Sequence, residues 1–433
     1  MPAQESRQEI RYCNRCLYPS NHPLGITFND DGVCSGCTVH DEKYNAVDWA
    51  KRAQQFEELV ALYRGKSNLY YDCIIPVTGT GDDFYVVDVV KNRFDLNPLL
   101  VTYNTHFNTK VGIRNLARLT TALDCDHILS TVGPDTVKKI TRATLRILGD
   151  MYWHVLAGSQ TFPVQVATKF SIPLIIWGCH GQMDQVGQFS HFDYVEMSKK
   201  IRKEHGLRML DAQDLTAADG DITPEDVLPY IYPSDEQLTK SRVRGVYLNN
   251  FFFWNSKKQV EWAIEKFSYE TNLQERTHNT YETIYCHNSA HVHDYIKYLK
   301  FGYGKATDHA CRDIRLKRLT REQGIELVAT YDHVRPSNLD VFLEWIGMTE
   351  SEFMSHIDRH RDPRVWQRAA DGTWHAKYSV GQSIGASGVD VARLQVHEGN
   401  VYVKTPLLES ETKDYILTGR QYMDETNFKA IEG

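Results

Sequence analysis

Residues 70–93 read YYDCIIPVTGTGDDFYVVDVVKNR, and this stretch decides the fold. Residues 72–77 are a short apolar run in which Ile74 and Ile75 are β-branched, the length of a buried strand. Thr78, Gly79, Thr80, Gly81, Asp82 and Asp83 make a small Gly-containing turn. Residues 84–93 then read as a helix with Val86, Val87, Val89 and Val90 inward. A strand, a Gly turn and a helix start bring several backbone N–H groups and the positive end of a helix dipole together, where an anion can be received. Many such turns do no more than reverse the chain. The stretch matches neither GxxxxGK[ST] nor GxGxxG, so neither of those phosphate loops follows from it.

Working outward, apolar strands alternate with amphipathic helices: strand 99–103, helix 110–123, strand 127–131, helix 135–148, helical region 151–170 and strand 173–177. That alternation implies an α/β fold, a parallel sheet with helices on both faces. Ligands of such sheets bind past the carboxyl ends of the strands. Here that edge carries the turn 78–83, the loop beginning at Asn104, residues 132–134 and the loop beginning at Gly178, and these four loops form the candidate site.

Upstream, Cys13-x-x-Cys16 and Cys34-x-x-Cys37 are separated by 17 residues, a spacing suited to a four-thiolate Zn²⁺ site. Four thiolates close the tetrahedron and leave no position for water, so the reading is a structural, zinc-ribbon-like knot; the alternative is a set of reduced thiols. His40 is a spare donor nearby, or only polar surface. Residues 41–69 look helical, with Phe56, Leu59 and Val60 on one face.

Beyond residue 190 the pattern changes. Residues 189–215 read as a charged helical stretch, and RGVYLNNFFFWN (244–255) as a strand or a buried wall. Residues 287–313 mix His291, His293 and His309 with Asp313; His309 and Asp313 share a helix face and could pair at a metal, or be ordinary hydrogen-bonded polar residues. Residues 319–357 form a run of amphipathic helices. Residues 372–433 alternate Gly turns with short strands such as 400–404, with GQSIGASG as a loop. Lone cysteines such as Cys73, Cys125 and Cys311 read as reduced core fillers.

The 433 residues are enough for two or three domains, with 42% hydrophobic and 24% charged residues. A net charge of -7 argues against a duplex-binding surface, while leaving room for a local basic pocket, so no nucleic acid partner is expected. No apolar run approaches ~18 residues, and none opens the chain, so neither a membrane span nor a signal peptide is expected. Nine cysteines in such a chain point to a reducing, cytoplasmic setting.

Taken in order, the motifs resemble those of the N-acetyl sugar amidotransferases, relatives of the PP-loop ATP pyrophosphatases that serve bacterial surface-polysaccharide and nonulosonic-acid pathways. The resemblance covers about residues 10–360. It rests on the paired CxxC with ITFNDDGVCSGC, on YDCIIPVTG, NPLLVTYN, TFPVQVATKFSIPLIIWG, EMSKKIRKEHGLR and YIYPSDEQL, and on HDYIKYLKFGYGKATDHA with DIRLKRLTREQGIEL. It implies a PP-loop/HUP-like fold, and with the tail, which has no counterpart in the family, the chain divides into four parts: a zinc-binding knuckle region at 1–45, an α/β domain at 46–190, a helical substrate region at 191–360 and a β-rich extension at 361–433. It also implies ATP and Mg²⁺ as cofactors. The acetamido oxygen of a sugar would be adenylated and AMP displaced by ammonia from a glutaminase partner, leaving an acetamidino group. The chain would work in a homo- or hetero-oligomer.

The departures fall on the chemistry. Where the resemblance leads to SGGKDS, this chain has Thr78-Gly79-Thr80-Gly81-Asp82-Asp83. A lysine is lost to Gly81 and a serine becomes Asp83, two charge units in the wrong direction for pyrophosphate. At ~4 Å and an effective dielectric of about 20, each such charge is worth roughly 4 kcal/mol. Cys179 and Asn255 stand where acidic residues are expected. If nucleotide binds, Asp82 and Asp83 should act through Mg²⁺, with Lys305 and Arg114 as nearby cations. Three readings stay open: a working enzyme with a remodelled loop, a pocket turned to another small substrate with or without ATP, and a catalytically silent scaffold subunit.

Overall fold

The computed structural model describes residues 9–67 and 70–382. The apolar runs become five strands: β1 (Cys73–Pro76), β2 (Pro98–Tyr103), β3 (His127–Ser130), β4 (Leu174–Trp177) and β5 (Arg244–Tyr247). All neighbours pair in parallel, in the order β3-β2-β1-β4-β5. The segment 244–255 therefore supplies an edge strand, followed by a short 3₁₀ turn, Leu248–Asn250.

Strand periodicity of two sends alternate side chains to opposite faces. Ile75, Leu100, Ile176 and Val246 pack with α2 (Trp49–Tyr63) and α3 (Gly81–Asp88) on one side. On the other side, Ile74, Leu99, Val101 and Ile175 share a core with Val164 and Ala167. Helices α4 (Lys110–Ala122), α5 (Pro134–Leu148) and α6 (Trp153–Phe170) make the crossovers, and α1 (Ser35–Asn45) leads out of the cysteine knot. With both faces covered, the strands can be apolar throughout, which is why they read as continuous runs rather than alternating ones. After β3 the chain returns to the far side of β1. The loops that leave β1 and β4 are thus neighbours at the carboxyl edge, the switch point where open α/β sheets take ligands.

Two expectations need correction. The helix expected at 84–93 begins at Gly81 and ends in a single wider turn, Val89–Arg93. Asp82 and Asp83 consequently lie in a helical first turn. The charged stretch 189–215 is helical only in pieces, Lys199–Ile201, Arg202–Gly206 and the first residues of Ala212–Ala218. Its charges serve tertiary pairs instead of helical neighbours: Glu196 binds Arg244 at 2.6 Å, and the buried Arg202 donates to Thr161 at 3.1 Å. The expected helices over 319–357 are three, Arg321–Tyr331, Leu339–Ile346 and Glu350–Asp358. Of the expected β-rich extension, an antiparallel pair, Trp366–Arg368 with Trp374–Ala376, is described. The strand at 400–404 and most of GQSIGASG lie outside the described residues. No helix among the described residues is long and apolar enough to cross a membrane.

Candidate functional site

The turn after β1 is closed by its own side chains. Thr80 caps α3 and accepts from the Asp83 amide at 3.3 Å, and the Asp83 carboxylate reaches back as the other half of a capping box. Asp83 Oδ2 accepts from the Thr78 and Thr80 amides, both at 2.8 Å, and the Gly79 amide adds a further bond. Burial pushes the Asp83 carboxyl up, while these amides pull against it. The Thr78 hydroxyl lies 3.4 Å from the same oxygen. Gly79 has φ +83°, and a Cβ there would meet the Leu116 amide nitrogen at 2.7 Å. A Cβ at Gly81 would run into Val260, so a lysine at this position needs that valine to move.

Asp82 points the other way. Its Oδ2 accepts from Ser256 Oγ at 3.0 Å, and its Oδ1 is buried without a hydrogen-bond partner. Burial, reinforced by the Glu282 charge, pushes its carboxyl up to about 7. Glu282 ion-pairs with Arg312 and lies 3.4 Å from His309 Nε2. Burial alone would raise its carboxyl, but Arg312 and His309 hold it well below the usual range. Arg312 also faces Asp184 at 3.6 Å, and Asp184 ion-pairs with Lys43 of α1. Burial raises Asp184 too, yet Lys43 and Arg312 outweigh it and set it at about 2. A buried line of charge therefore runs from the turn after β1, across the C-terminal half, to the loop after β4 and the cysteine knot. Cys179 sits in the field of Asp184, Lys43 and Asp82, its thiol raised by burial.

The other sequence-derived residues take different places. Asn104 organises the loop after β2, accepting from the His106 amide at 3.0 Å and donating to Thr131 at 3.0 Å. With Thr78, Thr102, Asn108, Leu116 and Tyr285 it lines a cavity of about 280 Å³ whose lining, among the described residues, holds no Lys or Arg. Gly178 follows β4, its carbonyl accepting from the Asn249 amide at 3.3 Å. Lys305 begins the helix Lys305–Arg315 and donates to Thr283 Oγ1 at 2.6 Å and to the Ser289 carbonyl at 3.0 Å; burial lowers its ammonium to about 8. Thr283 carries φ +54°, costly for a β-branched residue, immediately after Glu282. Arg114 is instead a surface partner of Glu270 at 2.6 Å. His309 and Asp313 do not pair: His309 Nδ1 meets Thr277 Oγ1 at 2.7 Å, and Asp313 meets His278 at 3.0 Å. Asn255 caps the helix Ser256–Phe267 and accepts from Arg318 at 2.9 Å, a neutral role that needs no acid.

Glu282, Arg312, Asp184, Lys43 and Ser256 escaped the sequence reading. They come from five separate segments, and no spacing signal joins them.

Cys13, Cys16, Cys34 and Cys37 are fully buried, with sulfurs all within 4.8 Å of one another, the only such group among the described residues. Cys13 Sγ accepts from the amides of Arg15, Cys16 and Cys34 at 3.2 to 3.4 Å, bonds that favour a thiolate. The Arg315 guanidinium donates to Cys37 Sγ at 3.4 Å and to the Gln185 carbonyl at 2.6 Å, tying the knot to α7 (Gly181–Val186). The donors fit a metal ion. The turn after β1, by contrast, does not fit a polyphosphate as it stands. Its amides already serve Asp83, and the adjoining cavity offers no cation.

Residues 257–379 match the family model for the LPS biosynthesis protein WbpG-like, C-terminal domain. Glu282, Lys305, His309 and Arg312 all lie in that segment. The chain is also 24% identical over 117 residues to an uncharacterized protein, MJ1599, of Methanocaldococcus jannaschii, across 27% of this chain and 41% of that relative. The chain thus spans about two fifths of the curated relative it matches. Two solved structures are similar at low TM-score. NMN synthetase from Francisella tularensis shares 11% identity over 51% of this chain and 92% of its own, with a TM-score of 0.27. The NH3-dependent NAD synthetase from Campylobacter jejuni, in complex with the nitrate ion, shares 12% over 45% and 95%, also at 0.27. The α/β assignment rests on the strand order itself.

Proposed function

We propose that this chain is an amidotransferase-like protein of surface-polysaccharide biosynthesis. Its site would lie where the loops after β1 and β4 meet residues 276–318. The observation that carries the reading is one of place. The WbpG-like segment supplies Glu282 and Arg312, whose charges act on Asp82, with His309 beside Glu282, at the sheet edge where ligands of such folds bind. A carboxyl poised at about 7, with one unpartnered buried oxygen, can take or give a proton near neutrality. The substrate would be an acetamido sugar or a related small amide, the product an acetamidino group, and ammonia would come from a glutaminase subunit in a hetero-oligomer. Zinc in the cysteine knot would be structural. ATP with Mg²⁺ would supply the adenylate that makes an amide oxygen a leaving group, but Asp83 holds the amides of the turn after β1.

That seat of Asp83 favours a second reading, a repurposed or silent homologue acting as a binding subunit. One assay separates the two: full-length chain with acetamido sugar, ammonium, ATP and Mg²⁺, followed by mass spectrometry and AMP analysis. Acetamidino product and AMP in equal amounts support the enzyme. Sugar binding in ligand-observed NMR without turnover supports the second reading. Absence of both overturns the site.

A further inference from the structure

An anion at the turn after β1 would have to be met by the amides of Thr78, Gly79 and Thr80 and by the amino end of α3. The Thr78 and Thr80 amides already meet one atom, Asp83 Oδ2, and the Gly79 amide faces the same carboxylate. The same carboxylate supplies half of the capping box with Thr80, so moving it also gives up the bond to the Thr80 amide. Among the described residues the nearby cations are already engaged, Lys305 by Thr283 and the Ser289 carbonyl. The cavity that Thr78 borders holds no Lys or Arg among the described residues, and the adjacent Asp82 and Glu282 are acids. Arg312, the cation at hand, is held between Glu282 and Asp184.

We propose that Asp83 is the resident anion of this turn, an internal stand-in that excludes phosphate from the amides after β1. A phosphate-bearing ligand can bind there only by displacing Asp83, so the carboxylate is a built-in competitor. The inference deepens the amidotransferase-like reading by naming what regulates its site, and it rests on that reading only for its biological sense.

The test is calorimetric titration of the full chain with inorganic pyrophosphate and with ATP, both in excess Mg²⁺, for wild type, Asp83→Ser and Asp83→Ala. Both variants keep Thr80 as the helix cap, and thermal melting checks that they fold. The expected result is pyrophosphate affinity on the order of a hundredfold higher in the variants, the effect of freeing amides from a charged acceptor. Wild type that binds as tightly as the variants overturns the proposal, and so do folded variants without a gain. A measurement on wild type needs no variant. The Thr78 and Thr80 amide resonances should stay unmoved when pyrophosphate is added at millimolar concentration, and a saturable shift of both overturns the proposal. Gain of affinity without any AMP formation leaves Asp83 as the competitor and sinks the amidotransfer reading. AMP formation with no effect of Asp83 does the reverse.

Discussion

Asp82 and Asp83 are adjacent in sequence and opposite in circumstance. Asp83 is surrounded by amide donors that offset part of its burial, whereas Asp82 has one hydroxyl donor, one unpartnered oxygen and Glu282 for company. Ionising Asp82 in the folded chain is therefore costly. Its folded value of about 7 lies above the unfolded 3.8, so the native state keeps a proton that the unfolded chain gives up between those values. The cost is absent below the lower value and complete above the upper one. Asp82→Asn should accordingly raise stability by on the order of 2 kcal/mol at pH 8 and change it little at pH 4. Denaturant unfolding at both pH values reads this directly. A variant that is less stable at pH 8 would show that the carboxylate is compensated after all. Natural proteins keep such costly groups at working sites, which is why Asp82 stands at the centre of the proposed one.

At the scale of elements, the cysteine knot does more than fold the first residues. Arg315 lies between its sulfurs and α7, and Arg312, one turn earlier on the same helix, pairs with Glu282. The knot, the loop after β4 and the helix Lys305–Arg315 thus share one set of charges. Reduced protein should contain one zinc per chain by metal analysis. Cys13→Ser should lose the metal and cost roughly 3 kcal/mol or more, since binding at such a site is folding energy. Chelation should also speed hydrogen exchange in residues 181–187 and in the helix Lys305–Arg315, because an arginine deprived of its thiolates is a buried, unpaired cation. Faster exchange confined to residues 9–45 would mean that the knot is an independent appendage.

For the whole molecule, buried histidines set the response to acid. Burial lowers His154 and His360 to about 3, and His180 and His191 to about 4, against 6.5 in the unfolded chain. The unfolded chain takes up protons that these rings refuse, so the stability they contribute is full above pH 6.5 and is lost as pH falls toward about 4. Asp82 and Asp332, raised to about 7 and about 6, act in the opposite sense over part of that range. These four rings, with His40 and His291 likewise lowered to about 4 by burial, outweigh the two carboxyls, so the midpoint of urea unfolding should fall steadily from pH 7 to pH 4. Asp184, held at about 2 chiefly by Lys43 against its burial, extends the loss below pH 4. A midpoint that is flat or rises between pH 7 and pH 5 would show that the carboxylates prevail.

Much of this was legible before any coordinates. Apolar runs of strand length between amphipathic helices can pack only as a covered parallel sheet, and the paired CxxC brings its four sulfurs together through two tight local turns. Thr78 to Asp83, Asn104 and Gly178 fall at the carboxyl edge for the same reason: their place follows from the strand that each one ends. The capping partnership of Thr80 and Asp83 is local too, a three-residue spacing that a helix read as starting at residue 84 passes over. The fragmentation of residues 189–215 and the partners of Asp82 were not legible. An ion pair such as Glu196 with Arg244, or Glu282 with Arg312, joins residues far apart in the chain, and burial alone decides whether a charge is solvated or held. Local pattern governs elements because backbone geometry is local. The site belongs to tertiary structure, because electric fields in a buried interior are set by whatever the fold brings near.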